Sequence, residues 1–267
     1  MGNYNSIEKN FYIYDNGDKY LGEGIFKVNK EPFKNGYGTY EYSNGDKFVG
    51  NFKDNKKNGR GKYFYKNGKI LTGTFVNNLV NNQGKIIFSN GDNYIGQIKN
   101  NEMNGFGKYT YTNGYIYKGN FFLNMISGDG ILYDRFNRKI YEGNWSNNMY
   151  NGNGTIFYKN GKEYYSGNFL NNLPNGLGKL YNYDSDLVYR GYFTDGVIKD
   201  KSYKQVSILD ENITESIPDE KKISITDDTC CICWEKQKNI LFVDCKHVCC
   251  CENCIDENGT DSTDLSE

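Results

Sequence analysis

Short runs in which apolar and polar residues alternate follow one another along most of the chain, separated by turn-forming residues. The pair Asn-Gly recurs every 23 residues, at Asn44-Gly45, Asn67-Gly68, Asn90-Gly91 and Asn113-Gly114, and again at Asn160-Gly161. Alternation with a period of two indicates strands that bury one face, and Asn-Gly is a strong hairpin signal. We predict a two-residue turn at each pair, with positive φ at both residues, and hence a succession of β-hairpins.

Two further series keep the same phase. An apolar residue, most often tyrosine, stands two places before a glycine at Tyr20, Phe48, Leu71, Tyr94, Tyr117, Tyr141, Tyr165 and Tyr189. A series of the form Asn-Gly-x-Gly runs from Asn35 to Gly178 and is predicted to mark the second bend of each unit. We expect the apolar series to pack against neighbouring units, with the glycine making room for a ring. The alternative is insertion of these rings into a lipid interface or a partner's groove.

The composition favours an all-β protein, because alanine is absent while Gly, Tyr, Asn and Lys are abundant. No apolar run approaches the length of a membrane span and no secretory signal is recognisable, so an intracellular, cytoplasmic location is expected. All eight cysteines lie between Cys230 and Cys254. In a reducing compartment, clustered cysteines with a histidine among them more often bind metal than form disulfides.

The net charge of −1 is unevenly distributed: residues 1–196 carry about +7 and residues 197–267 about −8. Solubility explains this asymmetry most simply. The alternatives are an anionic partner for the basic part, or docking of the acidic part onto it. Lys62, Lys85, Lys108 and Lys179 recur in phase and form either a basic stripe toward an anionic membrane surface or solubilising edge charges. A nucleic acid partner is not expected.

The pattern "YxGxF…NGxGxYxYxNG" in steps of 23 residues resembles the MORN repeat family over residues 11–196, in seven to eight units. The resemblance implies an elongated antiparallel β-hairpin array that serves as a scaffold or binding platform for proteins or membranes. It supplies no catalytic residues. The departures are a longer first unit, the loss of Asn-Gly at "DRFNRK", and "YDSDL" in place of a turn in the last unit.

The segments outside the repeats carry fewer signals. Residues 1–10 form an N-terminal tail that begins "MGNYNS", which fits the N-myristoylation pattern with Gly2 as the acceptor. A single myristoyl chain binds membranes only marginally, so peripheral attachment would need the basic array as a second signal. Residues 197–229 form a charged linker without repeat phase.

The cysteine cluster at residues 230–254 has the spacing of a zinc site. Cys230 and Cys233 form one Cys-x2-Cys knuckle, and Cys251 and Cys254 form another. Two such knuckles suit a closed tetrahedral site, which is structural rather than catalytic. Binding of zinc would supply the free energy that folds so small a module.

The complete string, C-x2-C-x11-C-x-H-x3-C-x2-C, resembles the compact C3HC4 RING finger of inhibitor-of-apoptosis proteins. The resemblance implies that Cys230, Cys233, Cys251 and Cys254 share the first zinc. It assigns Cys245 and His247 to the second zinc, and gives Ile232 a contact with a ubiquitin-conjugating enzyme.

The final Cys-Pro-x-Cys pair of that family is missing, because the acidic tail at 255–267 contains neither Cys nor His. One zinc site is therefore complete, and the second lacks half of its ligands. A partner could complete the second site, Cys249 and Cys250 could fold back into it, the chain could be truncated, or the module could keep a single zinc. Crowding makes self-completion the least expected of these.

Two hypotheses of function follow. In the first, the chain is a scaffold that presents a RING-like module and acts as an E3 ubiquitin ligase or is a degenerate derivative of one. In the second, it is a noncatalytic adaptor that binds proteins or a membrane surface through the repeats and carries a single-zinc, protein-binding knob. No catalytic residue is assigned in either case, because no constellation for covalent chemistry is recognisable. Both RING modules and open β-array ends can associate, so a homodimer is a further expectation.

Overall fold

The computed structural model describes residues 10–28 and 30–198, which form strands and tight turns in two compact units. The first unit extends to Asn124 and the second begins at Met125. The strands of the first unit are β1 (Asn10–Ile13), β2 (Lys19–Lys27), β3 (Lys30–Glu41), β4 (Lys47–Lys53), β5 (Lys56–Phe64), β6 (Ile70–Val76), β7 (Leu79–Ile87), β8 (Asn93–Lys99), β9 (Glu102–Thr110) and β10 (Ile116–Phe122). Those of the second are β11 (Met125–Tyr133), β12 (Lys139–Ser146), β13 (Met149–Phe157), β14 (Glu163–Leu170), β15 (Leu173–Tyr181), β16 (Leu187–Thr194) and β17 (Val197–Ile198).

Within each unit every strand pairs antiparallel with the strand that follows it in the chain. The described part of the chain contains no helix. The predicted all-β array of antiparallel hairpins is therefore confirmed over these residues. The predicted limits of the array, the linker, the zinc module and the acidic tail remain predictions.

The core lies on one face of each sheet, here called the inner face. The apolar series predicted to be buried is buried without exception, from Tyr20 at 0% exposure to Tyr189 at 6%. A second ring or aliphatic side chain stands four places later in most repeats, as at Phe52, Phe75 and Phe121, and is also buried. Core packing of this series is thus confirmed.

Glycine makes room for the ring, as predicted. Gly96 and Gly107 face each other across β8 and β9, and the ring of Tyr94 covers both. A Cβ atom added to Gly107 would lie 2.2 Å from the Tyr94 ring. The Tyr94 hydroxyl continues past the glycines and donates a hydrogen bond to the carbonyl of Gln97, 2.6 Å away. Only glycine leaves space for a ring this close to the strands.

The predicted geometry of the Asn-Gly turns is wrong in one respect. Gly45 has a φ of 95°, but Asn44 does not have positive φ. The Gly45 N–H bonds to the Tyr42 carbonyl and the Tyr42 N–H to the Asp46 carbonyl, which makes a three-residue loop. In such loops a type I turn comes first and the left-handed residue follows it, so only the glycine needs positive φ. Asn137 and Ser185 take the same left-handed place where the Asn-Gly pair is lost.

The two-residue turns with positive φ at both positions occur at the other end of the hairpins. They are Asp54-Asn55, Asn77-Asn78, Asn100-Asn101, Leu123-Asn124, Asn147-Asn148, Asn171-Asn172 and Asp195-Gly196. The Asn-Gly-x-Gly series, predicted to mark this bend, instead lies inside the strand that follows it. Gly59 has a φ of 101° within β5 and belongs to a bulge at which the register with β4 shifts. The bulge increases the local twist of the strand pair.

Candidate binding face of the repeats

The second residue of each two-residue turn fastens its repeat to the preceding one. The Asn78 side-chain oxygen accepts a hydrogen bond from the Lys57 N–H at 2.9 Å, and the Asn78 N–H donates to the Lys57 carbonyl at 3.0 Å. The same pair of bonds, which we call the asparagine clasp, is made by Asn55, Asn101, Asn124, Asn148 and Asn172. Sequence reasoning missed the clasp, although the in-phase asparagines were a visible signal for it.

Three aspartates form a second connection between repeats. One oxygen of Asp18 accepts a hydrogen bond from the Tyr40 hydroxyl at 2.7 Å, and the other accepts one from the Ser43 N–H at 2.8 Å. Asp46 and Asp92 do the same with the corresponding tyrosine and turn of the next repeat. Burial by itself would raise the pKa of Asp18, but these hydrogen bonds outweigh it and hold the pKa below its usual value.

The same contacts act on the tyrosines. Burial and the neighbouring Asp18 carboxylate together raise the pKa of Tyr40 far above its usual value. The hydroxyl therefore stays protonated and remains a donor to the aspartate. Tyrosine and aspartate thus form a charge-assisted hydrogen bond at the rim of the inner face.

A ladder of tyrosine rings follows the inner face of the first repeats. Its members are Tyr12, Tyr14, Tyr40, Tyr42, Tyr63 and Tyr65, with successive ring centroids 4.6 to 5.6 Å apart. Most of these rings are half-buried, so the ladder presents ring surface and hydroxyl groups to the outside. Surfaces of this kind are typical of binding sites, because a tyrosine offers a large apolar area together with a polar tip.

Lys69 Nζ lies over the last ring of this ladder, 5.2 Å from the Tyr65 centroid, and two further lysines lie over the other rings. Lys34 Nζ lies 5.1 Å from the Tyr14 ring centroid and 5.3 Å from that of Tyr40, and donates a hydrogen bond to the Tyr14 hydroxyl at 2.9 Å. Lys57 Nζ lies 4.5 Å from the Tyr63 centroid and donates to the Tyr42 hydroxyl at 3.1 Å. Burial lowers the pKa of both lysines, and nearby carboxylates offset part of this effect. Cation–π contacts compensate part of the lost hydration.

The residue that precedes the Asn-Gly-x-Gly motif changes from charged to apolar along the chain. The residue before the Asn-Gly-x-Gly motif is Lys34 and then Lys57, but in the following repeats it is Val80, Met103, Ile126, Tyr150 and Pro174, all of them buried. The first repeats therefore present a cationic aromatic surface on the inner face, whereas the later repeats fill the same place with apolar side chains.

An open hollow of about 250 Å³ lies at the change from Lys57 to Val80. It is lined by Lys57, Tyr63, Tyr65, Leu71, Phe75, Asn78 and Asn101. Neither the two lysines nor this hollow was identified from the sequence. The only available signal was Leu71, the single aliphatic residue in a series of aromatic ones.

The lysines that sequence reasoning did identify lie on the opposite, outer face. Lys62, Lys85, Lys108 and Lys179 are all exposed. Lys85 pairs with Thr72 and Ile95, and Lys108 pairs with Ile95 and Lys118. On this face the exposed Ile95 therefore lies between Lys85 and Lys108, and Lys118 lies next to Lys108.

The predicted zinc ligands Cys230, Cys233, Cys245, His247, Cys251 and Cys254, together with Ile232 and Gly2, lie outside the described residues. Their donor set nevertheless fits zinc, because thiolate and imidazole groups at knuckle spacing are the ligands of structural zinc sites. Between residues 10 and 198, where the structure describes the chain, no group of three or more His, Cys, Asp or Glu side chains could hold a metal ion.

Comparison with protein families identifies both parts of the chain. The family described as MORN repeat matches at 33–47, 48–70, 72–93, 94–114, 141–163 and 165–186. The family described as zinc finger, C3HC4 type (RING finger), matches residues 226–261. The chain is a MORN-repeat protein with a C-terminal RING-type zinc finger. Strand β11 of this MORN-repeat protein lies in residues that the family does not match, and it pairs with β12 in the same antiparallel way.

Other comparisons add little. No curated protein matches the chain significantly. Among solved structures, the TCP domain of Drosophila melanogaster SAS-4, in complex with a proline-rich motif of Ana2, shares 16% identity with the MORN-repeat protein. This match covers 48% of this chain and 68% of that one, with a TM-score of 0.31. The CPAP G-box domain shares 13% identity over 69% of this chain and 99% of that one, with a TM-score of 0.28.

The TCP10 domain of Danio rerio CPAP shares 12% identity over 69% of this chain and all of that one, with a TM-score of 0.20. At these TM-scores the similarities support no argument about the MORN-repeat protein. Its described residues include no helix of sufficient length and apolarity to cross a membrane.

Proposed function

We propose that this chain is a scaffold in which the MORN repeats bind a protein partner and the RING-type module recruits a ubiquitin-conjugating enzyme. The observation that supports this most directly is the RING-finger match at 226–261, which contains six of the eight ligand positions in unbroken spacing. A RING finger does no covalent chemistry of its own. It brings the conjugating enzyme and the substrate together, which raises their effective concentration. No residue of the chain is therefore proposed to be catalytic.

Zinc would hold the module in its folded form. In this proposal Cys230, Cys233, Cys251 and Cys254 bind one zinc ion, and Cys245 and His247 occupy two of the four ligand positions of a second site. Ile232, between the first two ligands, would contact the conjugating enzyme. This function requires a compartment in which ubiquitin is available, so the proposal places the protein in the cytoplasm.

The test is an autoubiquitination assay of the full chain with a panel of ubiquitin-conjugating enzymes. Ubiquitin chains are expected with at least one enzyme, and the Ile232→Ala variant should lose them while its zinc content stays the same. Cys251→Ser serves as the control in which zinc itself is lost. Consistent absence of ubiquitin chains, with zinc present, would overturn the ligase proposal.

The missing ligand pair favours a second candidate. Residues 255–267 contain no Cys or His, and the binding face of a RING finger includes the loop that the final pair holds. The chain would then be an adaptor whose single-zinc module binds a protein without transferring ubiquitin. Binding of a conjugating enzyme without chain formation would support this adaptor function.

Attachment to a membrane is a separate proposal. The exposed Lys62, Lys85 and Lys108 on the outer face would attract an anionic membrane, and a myristoyl group on Gly2 would insert into it. Each contact is weak alone, and the two together would hold the chain on the membrane. Sedimentation with vesicles that contain phosphatidylserine tests this, using Gly2→Ala and Lys62→Gln variants. If neither variant reduces binding, this form of attachment is wrong.

A further inference from the structure

The outer face of β15 and β16 presents two apolar side chains to the outside. Leu177 lies opposite Tyr192 across these strands, and the two side chains are 56% and 64% exposed. In the preceding hairpin the place of Tyr192 belongs to Asn168, whose side chain lies against the bulge glycine of the next strand, Gly176. Beyond Tyr192 the described residues contain no further bulge, and its ring remains exposed.

A pair of cations lies next to these apolar side chains. Lys179 and Arg190 face each other across the same two strands, and both are exposed. Among the residues that the structure describes, neither forms an ion pair. The carboxylate of Asp195, in the turn after β16, accepts a hydrogen bond from Asn175 instead. Like charges directly opposite each other destabilise a strand pair, so an anion bound at both cations would stabilise it.

These four side chains, which we call the β15–β16 patch, differ from the corresponding residues of the other cationic pair. On β9 and β10 Lys108 faces Lys118, but the neighbouring pair there is Phe106 with Asn120. The β15–β16 patch therefore places two cations beside two exposed apolar side chains.

The sequence that follows the repeats carries the complementary pattern. Residues 210–220, DENITESIPDE, contain five carboxylates and no lysine or arginine. In an extended conformation alternate side chains would lie on the same side. One side would then combine acidic and apolar residues, namely Glu211, Ile213, Glu215, Ile217 and Asp219. Such a segment offers carboxylates to the two cations and isoleucines to the two exposed apolar side chains.

This segment also follows the patch closely in the chain. Ile198, the last described residue, pairs with Phe193 of β16 itself. Eleven residues separate Ile198 from Asp210, and a connection of that length spans up to about 40 Å when extended. Because it is tethered, the segment has a much higher effective concentration at the patch than a separate partner in solution.

We propose that residues 210–220 dock on the β15–β16 patch of the same chain, with carboxylates at the two cations and isoleucines on Leu177 and Tyr192. The RING-finger match begins at residue 226, shortly after this segment. Docking would therefore hold the zinc module beside the second unit. The contact does not require ubiquitin transfer, so it is independent of the ligase proposal.

The test is carbodiimide crosslinking of the full chain with zinc bound, because this reagent joins a lysine amine to a carboxylate without a spacer. Peptide mapping by mass spectrometry should find Lys179 linked to a carboxylate in residues 210–220. Lys108, which is also exposed opposite a cation, is the internal control and should give no such link. Raising the salt concentration to about 1 M should reduce the yield at Lys179, because the Debye length falls to about 3 Å. In a mixture of 15N-labelled and unlabelled chains, both linked peptides should carry the same label.

Three variants make the test specific. Arg190→Gln removes the second cation and should lower the crosslink yield at Lys179 by about two- to fivefold. Tyr192→Asn introduces the residue that Asn168 provides in the preceding hairpin, so it should fold, and should lower the yield because the ring contact is lost. Lys108→Gln removes an equal charge from the first unit and should leave the yield at Lys179 unchanged.

Several results would overturn the proposal. One is the absence of links between Lys179 and residues 210–220, and another is an equal yield of such links at Lys108. Linked peptides with different labels would show that the segment docks on a second copy of the chain. An undiminished yield at Lys179 in folded Arg190→Gln and Tyr192→Asn variants would also overturn it, because the patch would then not hold the segment.

Discussion

At the scale of single residues, the inner face depends on contacts that tolerate few alternatives. Gly107 has its position because the Tyr94 ring occupies the space where a Cβ would be. Asp18, at 7% exposure, remains charged because a tyrosine and a backbone N–H donate to it. Each of these contacts supports a prediction that can be checked by measuring stability.

Removal of one hydroxyl group tests the contact between aspartate and tyrosine. The Tyr40→Phe variant leaves an oxygen of Asp18 without its donor, which should lower the free energy of unfolding by about 1–3 kcal/mol at neutral pH. Because the pKa of Asp18 is lower in the folded state, this contribution exists above the unfolded-state pKa and is lost as the pH falls through the folded-state pKa. The difference between variant and parent should therefore shrink in acid.

Urea denaturation at neutral and acidic pH measures this effect. Tyr37→Phe is the matched control, because the Tyr37 side chain is exposed at 47%. A constant difference between Tyr40→Phe and the parent at every pH would contradict the assigned role of Asp18.

Substitution of one glycine tests the ring contact. Gly107→Ala should destabilise the protein by about 3 kcal/mol or more, because the ring of Tyr94 must move and the core around it is closely packed. The double variant Gly107→Ala/Tyr94→Leu should recover part of this loss, since leucine removes the ring that the added methyl group would meet. Additive effects of the two substitutions in a double-mutant cycle would show that the ring is not what excludes the methyl group.

At the scale of strands and turns, the asparagine clasp connects each hairpin to the one before it. The turn residue must have positive φ, and its side chain must also accept a hydrogen bond from the main chain. Asparagine satisfies both needs better than any other residue. The last turn differs on both sides of the contact. Position 196 is glycine, and its counterpart Pro174 has no N–H to donate.

Two substitutions at one turn separate the two roles of asparagine. Asn172→Gly keeps the left-handed backbone but leaves the Tyr150 N–H, which is buried, without an acceptor. It should cost about 1–2 kcal/mol. Asn172→Ala also introduces strain at a φ of 71°, and should cost about 1–2 kcal/mol more.

Thermal or chemical unfolding of both variants checks this order. Gly196→Asn is the control. It is expected to change stability by less than about 0.5 kcal/mol, because Pro174 has no N–H that could donate to the asparagine oxygen. Equal costs for the Gly and Ala variants would mean that the left-handed backbone contributes no strain.

At the scale of the whole chain, the repeats and the zinc module use different sources of stability. Residues 1–229 contain no cysteine, and the only histidine is His247. The described hairpins are held together by buried rings, clasps and strand pairing. The zinc module is too small to bury a comparable core, and we expect metal binding to supply its folding free energy.

Removal of zinc should therefore affect the zinc module and leave the repeats unchanged. Treatment with a strong chelator is expected to release the metal while the unfolding midpoint of the β-structure, followed by circular dichroism, stays unchanged. Elemental analysis before treatment should give one zinc per chain, lost in Cys251→Ser. Two zinc ions per chain would mean that the second site is completed, and a lower unfolding midpoint without zinc would mean that the module supports the repeats.

The sequence predicted the fold well because the fold is periodic. Residues such as Tyr94 and Phe48 recur in phase with glycine, and a repeated pattern identifies buried positions without knowledge of the neighbours. The turn geometry could not be predicted from Asn-Gly alone, because the first residue of the turn depends on the bulge and register of the flanking strands. Lys34 and Lys57 were missed for a different reason. A lysine in an aromatic cage has the same local sequence as one in water, and contacts about 20 residues away decide its surroundings.

The clasp has a consequence for how such an array can grow. Its side chain recognises only a main-chain N–H, which almost every amino acid possesses, so a duplicated cassette of 23 or 24 residues would join its neighbours without any compensating change. The contacts between Asp18 and Tyr40, by contrast, require two particular side chains in adjacent copies. The number of repeats can therefore change by duplication. A proline at the position that donates its N–H to the clasp prevents that side-chain contact with the next copy.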